Sequence, residues 1–214
     1  MPTVRPEVLK VLAPYYPLAE KLGSLIGQLS DGRLQRVEIE YSGEIADYDL
    51  TPLTTLVVEG LLKPVLNGEV NMVNARVLAK QRGLQIAERK EPTDPDYSNK
   101  IRVKAISERG EHVVAGTLFR RNDLRVVEID GYHFEVVPEG YLLIAPHKDE
   151  PGIIGQVGTI LGAAGINIAY MQVGRKEVGG TAIMVLTVDS EIPAAVLARI
   201  KEVKGLQQPV LVQL

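Results

Sequence analysis

The 214-residue, 23.4 kDa chain has room for one or two domains, and its 45% hydrophobic and 24% charged residues predict a sizeable buried core. With 24 Lys plus Arg against 27 Asp plus Glu the formal charge is −3 and the pI about 5.7. No basic cluster dominates, so a nucleic-acid partner, which needs a positive field for its phosphates, is disfavoured. The absence of cysteine excludes a disulfide scaffold, a thiol nucleophile, an iron–sulfur centre and a thiolate zinc site.

The opening Met1-Pro-Thr-Val-Arg-Pro6 is too proline-rich to begin a helix cleanly. The helical pattern starts after Pro17, a residue suited to a first turn. Leu18, Leu22, Leu25, Ile26 and Leu29 recur at helical spacing before Asp31-Gly32 ends the run. Gly23 and Gly27 lie one turn apart beside that stripe. Each costs roughly 1 kcal/mol of helix propensity, so either they mark close packing against another element or they are incidental weak positions. From Arg36 the chain alternates with period two: Val37, Ile39 and Tyr41 point one way, Arg36, Glu38 and Glu40 the other, as in a half-buried strand.

The stretch from Pro52 to Leu66 reads as a largely buried helix stopped by Asn67-Gly68. A second helix spans Asn71 to Arg82, with Val73, Val77 and Leu78 on its apolar side and Gly83 ending it, and Leu84 opens another strand. Asn71 and Asn74, three residues apart, are candidates for an anion site at that helix start. The plainer alternative has Asn71 capping the helix and Asn74 in solvent. After a loop over Glu91–Asn99, short strands follow around Ile101–Ile106, His112–Phe119, Leu124–Ile129 and Tyr132–Val136. The last two are joined by Asp130-Gly131, a strong hairpin signal. Helices plus this meander make residues up to about 137 an α+β unit. His112 and His133 fall in strands with no carboxylate motif beside them, and are read as hydrogen-bonded sheet positions.

From Gly140 the order is strand (Tyr141–Ala145), helix (after Pro151-Gly152), strand (from Gly165), strand (Thr181–Val188), helix (from Pro193), strand (Leu211–Leu214). That is the split βαβ, ferredoxin-like arrangement, with two helices on one sheet face and edge strands open to a second copy. His147 and Asp149 follow the first strand directly, just before the N-terminus of the first helix. This placement suits a small zwitterion: free N–H groups meet a carboxylate, Asp149 meets an ammonium, and Gly152 permits close backbone approach. Asn167 opens the next strand, where its amide can bridge a ligand or a neighbouring subunit. A solvated polar turn with a helix cap is the alternative. No apolar stretch approaches the roughly 20 residues of a membrane span and no secretory leader is seen, so a soluble, cytoplasmic protein with no membrane partner is expected.

Gly140-Tyr-Leu-Leu, Pro151-Gly-Ile-Ile-Gly155 and Gly165-Ile-Asn-Ile-Ala169 resemble the ACT domain, an amino-acid-sensing regulatory module. Upstream, Leu18–Gly23, Val37–Gly43, Val70–Ala75, Tyr97-Ser-Asn99, Ala115–Phe119 and Ile129-Asp-Gly-Tyr132 resemble the C-terminal region of the longer bacterial D-3-phosphoglycerate dehydrogenases, over essentially the whole chain. The resemblance implies an α+β fold: the end of a catalytic portion and a connecting helix at 1–30, a mixed α/β intervening domain at 31–138, and a ferredoxin-like βαββαβ ACT domain at 139–214. It implies a parent enzyme that oxidises 3-phosphoglycerate to 3-phosphohydroxypyruvate with NAD on the way to L-serine. Serine is the expected effector, bound where ACT domains self-associate into a dimer or tetramer.

His147 and Asp149 take the positions of the family's effector-binding turn, and Asn167 that of an asparagine supplied by the adjoining subunit. The family's Gly-rich nucleotide fingerprint and its catalytic Arg, Glu and His have no counterparts, so no catalytic residue, metal ligand or cofactor is assigned. NAD would belong to the missing catalytic domains, and the chain alone is expected to be inactive. Two other readings stand beside this one: the small subunit of an iron–sulfur L-serine dehydratase, and a free-standing amino-acid sensor.

Overall fold

A computed structural model describes residues 6–66, 70–120 and 122–214. The proline-rich opening, apart from Pro6, and the helix stop at Asn67-Gly68 lie outside the described residues. Two compact units are present, one ending at Gly131 and one spanning Tyr132–Leu214.

The first unit begins with α1 (Pro6–Leu12), a 3₁₀ turn at Ala13–Tyr15, and α2 (Tyr16–Leu29). The helical structure therefore starts earlier than the periodicity indicated. Pro6 sits in a first turn, where its missing N–H costs nothing, and Pro14 tightens the continuation into 3₁₀ geometry before Pro17 opens α2. β1 (Leu34–Gly43) is followed by α3 (Thr51–Leu66), α4 (Ala75–Gln81) and β2 (Gln85–Glu91), then β3 (Asn99–Ser107), β4 (Gly110–Phe119) and β5 (Asp123–Ile129). The strands run in the order β2-β1-β3-β4-β5. Pairing of β1 with β2 is parallel, which the crossover through α3 and α4 makes possible, and the remaining pairs are antiparallel.

Val37, Ile39 and Tyr41 are fully buried, as the alternation of β1 predicts. The Tyr41 hydroxyl lies 2.8 Å from Thr54 Oγ1 of α3, and burial raises its pKa far above the ordinary phenol value. α2 packs against α3 at very short range through glycines. A Cβ at Gly23 would stand 2.1 Å from the carbonyl oxygen of Val57, one at Gly27 would stand 2.6 Å from that of Leu61, and one at Gly60 would stand 2.1 Å from that of Glu20. The two glycines of α2 are therefore contact positions, not incidental ones.

α4 is shorter than the sequence indicated and presents a different face. Val73 and Val77 are 78% and 55% exposed, whereas Ala75 and Ala79, one turn apart, are fully buried. Small side chains seat this short helix, and the valines stay outside. At Asp130-Gly131 both residues have positive φ, 50° and 76°, as a two-residue type I′ turn requires.

The second unit opens with β6 (Tyr132–Val136). It continues as β7 (Tyr141–Lys148), α5 (Ile153–Ala163), β8 (Ile168–Arg175), β9 (Thr181–Val188), α6 (Ala194–Lys201) and β10 (Val210–Gln213). The sheet order β10-β7-β9-β8, antiparallel throughout, is the ferredoxin-like arrangement. Its helix-side core comprises Leu143, Ala145, Met184, Leu186 and Val188 of the sheet with Ile153, Val157 and Leu161 of α5 and Ile200 of α6. β6 groups with this unit through polar and apolar contacts. The Glu135 N–H donates to Gln172 Oε1 at 2.8 Å, the Tyr132 hydroxyl lies 2.7 Å from Thr181 Oγ1, and the Phe134 ring lies against Gly174.

Candidate functional site

The β7–α5 turn follows directly from the register of the sheet. His147 pairs with Ala182 of β9, and Ala182 pairs in turn with Arg175 of β8. Directly paired residues share a face, and the two-residue period from Leu143 and Ala145 puts this row on the helix-covered side. His147, Ala182 and Arg175 therefore form one transverse row beneath the turn, with a methyl group in the middle. His147 is buried, with Nδ1 3.1 Å from the carbonyl oxygen of Ala145. Beyond Lys148 the turn is pinned at both edges: the Lys148 N–H donates to the carbonyl of Gly205, and the Asp149 N–H to that of Gly180, each at 2.9 Å.

The Asp149 carboxylate accepts the Gly179 N–H at 3.1 Å and an Arg175 Nη1 hydrogen at 3.3 Å. These contacts, the Gly179 amide first and the Arg175 guanidinium after it, hold its pKa below the usual carboxylate range, and the group is ionised at neutral pH. Gly152 is the N-cap of α5, with φ 94° and ψ −21°, a left-handed conformation that a side chain would strain. Its carbonyl accepts the Gln156 N–H at 2.9 Å.

Asn167 lies elsewhere. Its Nδ2 donates to Asp189 Oδ2 at 2.7 Å, and its carbonyl accepts the Asp189 N–H at 3.2 Å. It adjoins Ile168, which pairs with Val188, whereas His147 pairs with Ala182 at the other end of β9. That separation along the strand is roughly 20 Å. One chain thus brings His147, Asp149 and Gly152 together and leaves Asn167 at the opposite end of its sheet.

Asn71 and Asn74 bond to their own turn. The Asn71 side-chain oxygen accepts the N–H groups of Val73 and Asn74, at 2.9 and 3.2 Å, and that of Asn74 accepts the Asn71 N–H at 2.8 Å. His112 is bonded at Nδ1 to Asp130 Oδ2, 2.8 Å away, and the hydrogen bond to that carboxylate raises its pKa. Among the described residues no three His, Asp or Glu side chains cluster as metal ligands, and no helix is long and apolar enough to cross a membrane.

Sequence reasoning missed Arg175, Gly179 and Asp189. Arg175 stands two and four residues beyond Val173 and Met171 on the same strand face, but nothing in its local sequence links it to Asp149. The link runs through the register on Ala182. The glycines of α5, Gly155, Gly158 and Gly162, have nothing within 4 Å of an added Cβ. They lie within a helix and not in a strand-to-helix turn, and so do not form the close backbone cradle that a dinucleotide pyrophosphate needs.

The model of the D-3-phosphoglycerate dehydrogenase intervening domain matches residues 11–130, and that of the ACT domain matches residues 142–205. Relatives named D-3-phosphoglycerate dehydrogenase align with the whole chain. The Synechocystis protein is 40% identical over 215 residues, that of Methanocaldococcus jannaschii 39% over 214, and that of Bacillus subtilis 36% over 214. All of this chain is covered in each case, but only 39%, 40% and 41% of those relatives, so the chain spans about two fifths of their length.

Proposed function

The chain belongs to the D-3-phosphoglycerate dehydrogenase family, in which its two domains form the C-terminal regulatory region, and from that premise we propose that it is the serine-sensing and self-associating part of such an enzyme. The parent oxidises 3-phosphoglycerate to 3-phosphohydroxypyruvate with NAD, in a cytoplasmic pathway to L-serine. The α5 glycines lie inside a helix and form no pyrophosphate cradle, so hydride transfer falls, on this reading, to the parent's other domains.

The observation that carries the reading is the division of the expected effector site between the two ends of one sheet. His147, Asp149 and Gly152 sit at one end and Asn167 at the other, so a complete site needs a second copy. The partner surface is β8, the edge strand of the ACT sheet. It exposes Tyr170, Met171 and Val173 to 47%, 41% and 38%, an apolar strip at a sheet edge, which favours strand addition by an identical chain. Two-fold antiparallel pairing centred near Met171 sets Asn167 of the partner subunit opposite Arg175 and beside the Asp149 turn. Serine then bridges two protomers, and its differential affinity for the paired arrangement is what couples binding to assembly. Both the intervening-domain match and the dehydrogenase relatives favour this reading over a dehydratase subunit or a free-standing sensor.

Calorimetry with L-serine on the 214-residue chain tests the assignment. Wild type binds, and Asp149→Ala and Asn167→Ala each weaken binding at least tenfold. Unchanged affinity in both variants sinks the site.

A further inference from the structure

We propose that Arg175 is the residue that receives the carboxylate of the amino-acid effector, so that Asp149 and Arg175 together read the two opposite charges of a free amino acid. This rests on the reading of the β7–α5 turn as the effector site and adds to it a group that the resemblance does not supply.

An amino-acid ligand presents an ammonium and a carboxylate on adjacent atoms. The residues assigned by resemblance offer Asp149 for the ammonium, whereas Gly152 has no side chain, Asn167 is neutral, and His147 is buried against the Ala145 carbonyl. Arg175 brings a permanent positive charge into bonding distance of Asp149, through Nη1 at 3.3 Å. Its side chain is 55% exposed, and its guanidinium carries donors in a planar fork that matches a carboxylate.

The fold fixes where that fork stands. Arg175 is the last residue of β8 and lies in the transverse row with Ala182 and His147, on the face roofed by the turn. Ala182 and His147 are buried, so the open side of this row is the Arg175 end. The strand ladder puts Arg175 about 10 Å from His147, two strand spacings away. Asp149 is anchored independently by the Gly179 N–H, so it keeps its position when Arg175 turns toward a ligand.

Calorimetric titration of the 214-residue chain with L-serine and with L-serinamide, which lacks the negative charge, tests the assignment. Wild type is expected to bind L-serine at least tenfold more tightly than L-serinamide. Arg175→Gln should weaken L-serine binding about tenfold and shrink the preference for L-serine over L-serinamide to less than threefold. Arg175→Lys should recover part of that preference. Arg175 is exposed, and equal thermal unfolding of the variants checks that the fold is intact. Arg175→Gln with wild-type affinity, or with the preference undiminished, overturns the role of Arg175 while leaving the effector site standing. Failure of wild type to bind L-serine at all overturns the effector reading and the role of Arg175 with it.

Discussion

Individual side chains in this chain are fixed by hydrogen bonds to groups far away in sequence, and their titration follows. His112 reaches Asp130, whose other oxygen accepts the Val113 N–H at 2.8 Å, so one carboxylate ties β4 to the Asp130-Gly131 turn. The imidazolium is the better partner for that carboxylate, and the pKa of His112 is raised. A raised value means that protonated His112 contributes its full stabilisation below the ordinary imidazole pKa of about 6.5 and loses it as pH climbs through the folded value. The stability advantage of wild type over His112→Gln is therefore greatest near about pH 5.5 and declines toward about pH 8. Thermal unfolding across that range measures it, and parallel curves for the two proteins contradict the assignment. The sequence placed His112 in a strand and Asp130 in a hairpin, but the bond between them depends on the β4–β5 register, which includes a bulge between Ala115 and Gly116. Local spacing does not contain that register.

At the scale of elements, the periodicities of 2 and 3.6 carried most of the fold. β1 and the six elements of the ACT domain come in the predicted order, although β7 runs on through His147 to Lys148 and β8 starts only at Ile168. The failures have identifiable causes. Pro6 and Pro14 organise α1 and its 3₁₀ continuation, although a proline-rich opening argues against a helix. In α4 two buried alanines outweigh the larger valines, because hydrophobicity alone does not say which side meets α3. Gly60 was unmarked in a stretch read simply as buried helix, yet it makes one of the tightest approaches to α2.

Glycine-to-alanine substitutions should consequently have opposite signs in different helices. Gly60→Ala gains helix propensity of about 1 kcal/mol but drives a methyl into the Glu20 carbonyl, for a net loss of about 2 kcal/mol or more. Gly158→Ala in α5 meets nothing within 4 Å and should gain about 0.5–1 kcal/mol. Urea unfolding of both variants distinguishes the cases; a stabilised Gly60→Ala contradicts the close packing described.

For the whole molecule, the candidate site was legible in part. The motif Ala145–Ile154 announced a polar turn at a helix start, and Asp149 and Gly152 stand there, whereas His147, read as following the strand, is a buried residue within β7, because the pairing with β9 runs on through His147 and Lys148. Asn167 was equally visible, but only the sheet topology shows that it cannot join them within one chain. With Asp149 and Asn167 at opposite ends of one sheet, the proposed site is completed only between two chains, and effector binding and self-association are then one equilibrium. Sedimentation equilibrium of the 214-residue chain with and without saturating L-serine tests this most directly. Serine is expected to lower the dissociation constant for self-association at least tenfold. The same dissociation constant in both conditions would contradict it.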